Sequence, residues 1–159
     1  LEDMHDWNLK NVYQNVGTRE RAKKRIFAWL YNPKSQDYVS NKAYSSDEII
    51  KKYYDGNHVL TFFNRKILSD EHHALNYIIQ STAADLFLRQ MIKIRNFLSD
   101  KKSRIAFCLH DSLIIDLHED DEAFVNEIKE LFAETELGKF KVNTYGGTNF
   151  GEMKRMNVN

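Results

Sequence analysis

The chain has 159 residues, 42% of them hydrophobic, which is enough for one ordinary domain with a real core. No apolar run nears the roughly 18 residues that a membrane span needs, and the one cysteine, Cys108, excludes an internal disulfide and a thiolate zinc cluster. The 23 Lys and Arg balance 23 Asp and Glu, but unevenly: Lys10 to Lys66 is basic and His110 to Glu136 is acidic, a split that suits a polyanionic partner and equally fits two solvated faces.

Asn8 to Tyr31 reads as two helices broken near Gly17 and Thr18. Thr18 caps the second, over about 18–31, and Asn32-Pro33 ends it. Lys34 to Ser46 is polar and turn-rich. Ser46 caps a short helix from Asp47 to about Tyr54, and Val59 to Leu68 is β-like. The longest helix spans about 70–98, with Leu75, Ile79, Leu86, Met91, Ile94 and Leu98 as its apolar stripe. Ile105 to Leu109 and Leu113 to Leu117 form an antiparallel hairpin, about 104–118, around His110-Asp111-Ser112. Cys108 in this run reads as an inert core residue in a reducing, cytoplasmic setting. Asp120 or Asp121 caps a helix over about 120–133, and Phe140 to Tyr145 is a last strand. The class is α+β, in two portions, 1–71 and 72–159.

Three units carry chemistry. Arg19, Lys23, Phe27 and Tyr31 are each four residues apart, so a helix keeps them on one slowly turning face. Two cations followed by two aromatics suit a nucleoside triphosphate: charge for the phosphates, a flat surface for sugar or base. The same pattern fits an ordinary amphipathic helix. Asn76 and Gln80 share a helix face and carry amides able to reach a base edge or a phosphate; two polar residues facing water would look alike. Asp111, at the tip of an apolar hairpin, is a plausible half-site for magnesium, a hard ion held by one or two carboxylates plus substrate phosphates. An Asx turn joining two strands is the plainer alternative.

In order and content these units resemble family A DNA polymerases, the DNA polymerase I type. Arg19 through Lys23 and Phe27 to Tyr31 resembles the fingers helix called motif B. Asn76 through Gln80 to Asp85 is similar to the family's N-x-x-x-Q-G-T-A-A-D helix, and Leu109-His110-Asp111-Ser112 to motif C. Asp3-Met4-His5 is similar to the D-I-H element, Thr61 to Lys66 to the T-x-x-G-R-R element, and Gly147-Thr148-Asn149-Phe150 to the C-terminal G-x-N-W. The resemblance implies a mainly helical fingers portion and a palm portion with a small antiparallel sheet that includes the motif C hairpin. It implies that Arg19, Lys23 and His5 meet the incoming triphosphate, that Phe27 stacks on it, and that Tyr31 sits near the template base. Asn76, Gln80, Arg65 and His110 would contact primer-template DNA, and Asp111 would bind Mg2+. The partners implied are primer-template DNA and deoxynucleoside triphosphates, with no membrane.

The departures carry their own expectations. Ser112 replaces the family Glu, Ser81 and Asn32 replace two glycines, and His72 stands where Arg is usual. The span between Tyr31 and His72 is short for the family, which suggests a compact replicative enzyme of the kind phages carry. Nothing before His5 resembles motif A, which holds the other essential aspartate. The chain does not begin with Met, so it reads as a cut or processed end, expected not to polymerise by itself. The alternative is a non-catalytic nucleic-acid-binding module derived from such an enzyme.

Overall fold

A computed structural model of the chain describes residues 3–32 and 35–156. The expected helix stop at Pro33 lies outside those residues; Asn32 occupies the C-cap position in an extended conformation. The fold is α+β, and its strands pair as antiparallel two-stranded sheets. The chain divides into two compact units, Leu1–Asp85 and Leu86–Asn159, with the boundary inside one long helix.

The first unit begins with a short helix α1, Met4–Trp7, which runs into a π-helical turn, Asn8–Val12. This helical stretch therefore starts four residues earlier than the apolar pattern indicates, because Asp3 caps it by accepting from the amides of His5 and Asp6. Helix α2, Arg19–Tyr31, starts as expected: Thr18 is extended and its hydroxyl accepts from the Arg21 amide. Next come helices α3, Tyr38–Tyr44, and α4, Ser46–Tyr53. Helix α3 corrects the turn-rich reading of 34–46. Its cap is Asp37, which accepts from the Ser40 amide. The cap position of α4 is Ser45, in a left-handed conformation and without a side-chain cap bond, and not Ser46.

Strands β1, His58–Leu60, and β2, Lys66–Leu68, pair with Val59 opposite Ile67. The expected single β run is thus a hairpin. Its connection turns at Asn64, which has φ +62, a conformation Asn tolerates better than most residues. Two apolar clusters hold this unit. Val12, Tyr13 and Ala22 pack with Leu9 and Tyr44; Val59, Ala74 and Ile78 pack with Ile49, Tyr53, Tyr54 and Ile67.

Helix α5, Glu71–Phe97, crosses the unit boundary. Its buried positions are Ala74, Ile78, Leu86, Gln90 and Ile94, and Leu98, just past its end, is buried too. In the C-terminal part Leu86, Ile94 and Leu98 are buried as expected, but Gln90 is buried where Met91 was expected. At the N-terminal part Ala74 and Ile78 face the core where Leu75 and Ile79 were expected, and Ile79 is exposed.

In the second unit β3, Arg104–Leu109, pairs with β4, Ser112–Asp116, with a bulge between Ile105 and Phe107. A 3-10 turn, Glu119–Phe124, leads into α6, Val125–Ala133. The cap is neither Asp120 nor Asp121 but the His118 ring, which accepts from the Asp120 amide. Asp121 is buried, and its carboxylate accepts from the Ser103 amide at 2.7 Å and the Ser103 hydroxyl at 2.8 Å. The Ser103 donation holds the Asp121 carboxyl below its usual pKa.

Strands β5, Glu134–Thr135, and β6, Gly138–Lys139, close a tight hairpin. The expected strand over Phe140–Tyr145 does not form as such. Pairing is confined to β7, Tyr145–Gly146, against β8, Lys154–Arg155. A β-carbon on Gly147 would meet Met153 Cα at 3.0 Å and the Glu152 carbonyl at 3.1 Å, so a larger residue there requires the facing backbone to give by a few tenths of an ångström. Cys108 is exposed, which corrects its placement in a core.

The core of the second unit is Ile94, Leu98 and Ile128, with Phe97, Ile105, Leu113, Ile115, Phe124, Leu131 and Phe132 around them. Gln90 joins α5 to the end of α6: the two N–H bonds of its side-chain amide are shared among the carbonyls of Leu131, Phe132 and Glu134, which lie 2.8, 3.0 and 2.7 Å from the nitrogen. Ile94 is fully buried. Ile94→Ala should destabilise this unit by about 2–4 kcal/mol, since it removes buried methyl groups and leaves a cavity. Chemical denaturation of wild type and variant measures the difference.

Candidate functional site

Helix α2 is turned by what it buries. Ala22 and Trp29 are in the core, and Tyr44 stacks on Trp29 with ring centroids 5.4 Å apart. Between them in sequence, Arg25 lies over the Tyr13 ring at 4.3 Å and forms a fork with Asp37, at 2.5 and 2.7 Å. That fork holds the Asp37 carboxyl below its usual pKa. With about 100° per residue, burial of this side leaves the Arg19, Lys23, Phe27 and Tyr31 side facing away.

The outward face forms a continuous row. The Lys23 ammonium sits 5.7 Å from the centroid of the Phe27 ring. Phe27 is 41% exposed and Tyr31 51%, with centroids 5.9 Å apart. His5, from α1, meets the Phe27 ring edge-on at 5.6 Å, and its Nδ1 is buried without a hydrogen-bond partner. At the far end the Gln80 side-chain amide donates to the Tyr31 hydroxyl. The structure therefore brings together His5, Arg19, Lys23, Phe27, Tyr31 and Gln80, all within the first unit.

Arg19 is held at the start of the row. Its Nε donates to Asp3 Oδ1 at 3.2 Å and its Nη2 to Asp3 Oδ2 at 2.9 Å, while Asp6 Oδ2 lies 3.6 Å from Nε. The Arg19 guanidinium holds the Asp3 carboxyl far below the usual carboxylate range, and Asp3 in turn raises Arg19.

Arg65 is occupied in a similar way. It donates to Asp85 Oδ1 at 2.7 Å and to the Ser81 carbonyl at 3.3 Å, and the Thr82 hydroxyl accepts from the Phe62 amide. These bonds tie the β1–β2 connection to the first half of α5. Asn76 is half-buried, and its Oδ1 is buried without a partner.

His110 and Asp111 form the two-residue connection between β3 and β4, with Leu109 opposite Ser112. Both are exposed. His110 has φ +54, a left-handed conformation that a non-glycine side chain adopts at a cost. The Ser112 hydroxyl lies 3.5 Å from Asp111 Oδ1.

Magnesium takes oxygen ligands in octahedral array and uses one or two carboxylates together with phosphates and water. Asp111 fits one such position. Among the described residues no group of three or more His, Cys, Asp or Glu side chains is placed to hold a metal ion.

Three pairings among these residues escape sequence reasoning. Asp3 and Asp85 are ordinary carboxylates in sequence, and their ion pairs with Arg19 and Arg65 span 16 and 20 positions. The Tyr31–Gln80 pair spans 49. Asp3 had one readable signal, an Asp just before a helical start, where N-caps occur.

A sequence model of DNA polymerase family A matches residues 60–153. This chain belongs to DNA polymerase family A, and membership implies a nucleotidyltransferase parent that copies DNA. No curated protein matches the chain closely enough to count as a relative. The matched stretch takes in Arg65, Asn76, Gln80 and the His110-Asp111 turn; α2 and His5 lie ahead of it. In the resemblance of Thr61 to Lys66 to the T-x-x-G-R-R element the glycine falls at Asn64, whose left-handed φ is one that glycine adopts without cost.

The backbone at His110 gives a test that is independent of chemistry. His110→Gly should leave stability unchanged or raise it slightly. His110→Val should cost about 1–2 kcal/mol, because a β-branched residue fits a left-handed position worst. Thermal unfolding of both variants measures this.

Proposed function

We propose that the chain is part of a DNA-directed DNA polymerase in which the outward face of α2 receives the incoming deoxynucleoside triphosphate. The carrying observation is the row itself: Arg19, Lys23, Phe27 and Tyr31 side by side, with His5 at one flank and Gln80 at the end. Arg19 and Lys23 supply cations for the phosphates, with the His5 ring beside them against Phe27. Phe27 offers a flat exposed ring for the nucleotide, and Tyr31 lies beyond it towards the template base. Asn76, Gln80, Arg65 and His110 contact primer-template DNA in this reading. Asp111 is the candidate carboxylate for a magnesium ion, which neutralises phosphate charge when bound. The compact span between Tyr31 and His72 favours a phage-type replicative enzyme acting in the cytoplasm.

Two-metal phosphoryl transfer uses more than one fixed carboxylate, and Asp111 is the one these residues offer at the motif C turn. We therefore assign the second to a motif A segment outside this sequence. A second reading, a DNA-binding module without chemistry, is favoured by Ser112, which stands where the family carries an acid.

Two experiments separate these. The 159-residue chain, given primer-template, magnesium and all four nucleotides, should extend no primer while keeping weak, salt-sensitive DNA binding. Robust extension would sink the two-segment assignment. In the full-length parent, Lys23→Ala should lower kcat/KM for nucleotide by roughly two to four powers of ten, because contacts to charge that shifts in the transition state are strong where water is excluded. Affinity for primer-template should hardly move. A parent with no synthesis at all, even with Ser112→Glu, would favour the binding module.

A further inference from the structure

We infer that Asp3 is a positioning residue for the triphosphate: one carboxylate both aims the Arg19 guanidinium and fixes the short helix that carries His5. The inference rests on the reading of the α2 face as the nucleotide face.

Asp3 does two things with one side chain. Its Oδ1 caps α1, accepting from the His5 amide at 2.9 Å and the Asp6 amide at 3.2 Å. Its two oxygens together receive the fork from Arg19, at 3.2 and 2.9 Å. A bidentate carboxylate–guanidinium pair fixes the plane of the guanidinium as well as its place. Arg19 offers five N–H donors. Two are spent on Asp3, and among the described residues no other hydrogen bond takes the remaining three, which can serve an oxyanion. The ring of His5, whose backbone the same carboxylate holds, lies edge-on against Phe27 two helical turns further along the row. Asp3 thus sets the spacing between a guanidinium and an imidazole on the phosphate side of the row.

The pair is only half-buried, with 39% of the Arg19 side chain and 38% of the Asp3 side chain exposed. Exposed ion pairs contribute little to stability. The geometry therefore matters here through direction: an unheld Arg side chain spreads over many rotamers, and ligand binding must then select one of them. The strong lowering of the Asp3 carboxyl by Arg19 agrees with a carboxylate that stays ionised and engaged at neutral pH.

Asn is as good an N-cap as Asp. Asp3→Asn therefore keeps the cap on α1 and removes the charge that holds Arg19. In the full-length polymerase, Asp3→Asn should raise KM for nucleotide about tenfold, with kcat within about twofold and with unchanged unfolding temperature and primer-template affinity. In an Arg19→Ala background, where KM is already raised, Asp3→Asn should add nothing. Unchanged KM, or a lower one, overturns the inference. So does an effect that adds fully to Arg19→Ala, which would mean that Asp3 acts on its own account. If Arg19→Ala raises KM and Asp3→Asn does not, only the role of Asp3 falls. If neither variant moves KM, the reading of the α2 face falls with it.

Discussion

Burial of Ala22 and Trp29 fixes the rotation of α2, and the candidate site follows from that rotation. A helix exposes whatever stands opposite its buried side. Trp29 is large, stacked on Tyr44, and donates from its indole to Asn41. Arg25 adds a directional anchor on the same side through Tyr13 and Asp37. Turning α2 would pull an indole from the core and break a charged fork together. Arg19, Lys23, Phe27 and Tyr31 gain their common direction from contacts that none of them makes.

The cations differ in how they are held. Arg19, Arg25 and Arg65 each face a carboxylate in good geometry, Asp3, Asp37 and Asp85. Lys23 instead lies over an aromatic ring. A guanidinium can keep a carboxylate and still donate elsewhere; an ammonium over a ring keeps all three of its protons for a ligand. The row therefore combines one oriented charge and one adaptable charge beside the same aromatic surface. In the proposed reading the first suits fixed phosphate oxygens, and the second can follow charge as it moves.

Helices α2 and α5 and the β3–β4 hairpin are legible in the sequence because each carries a local signal. Thr18 caps α2, Ile94 and Leu98 mark the period of α5, and two apolar runs flank His110-Asp111. Helix α3 is harder to read, since Tyr38 to Tyr44 offers no apolar stripe and only Asp37 announces it. The error at Leu75 and Ile79 has a physical source: Ala74 is fully buried but counts for little as a hydrophobe, so the register of the stripe is misread. Cys108 fails for another reason. Its run is apolar as a core strand would be, yet a two-stranded hairpin covers only part of its surface, and Phe107 and Leu109 stay exposed with it. Phe140 to Tyr145 alternates like a strand, but alternation does not supply a partner. Of the site, the spacing of four along α2 was readable. The carboxylates that orient its arginines were not, because tertiary pairing over many residues leaves no local pattern.

The junction at Gln90 limits how this chain can drift. One –NH2 group faces three carbonyl oxygens at the end of α6, while the amide's own oxygen is buried without a partner. That pocket is written for donors only. Glutamate has nearly the same outline, yet it would set its oxygens against three others, and in a dry setting it would have to capture a proton to stay. Shape therefore gives no guide to which neighbours in sequence space are open at this position. The polarity of three backbone dipoles does, and it closes the exchange that a comparison of side-chain volumes would rank first.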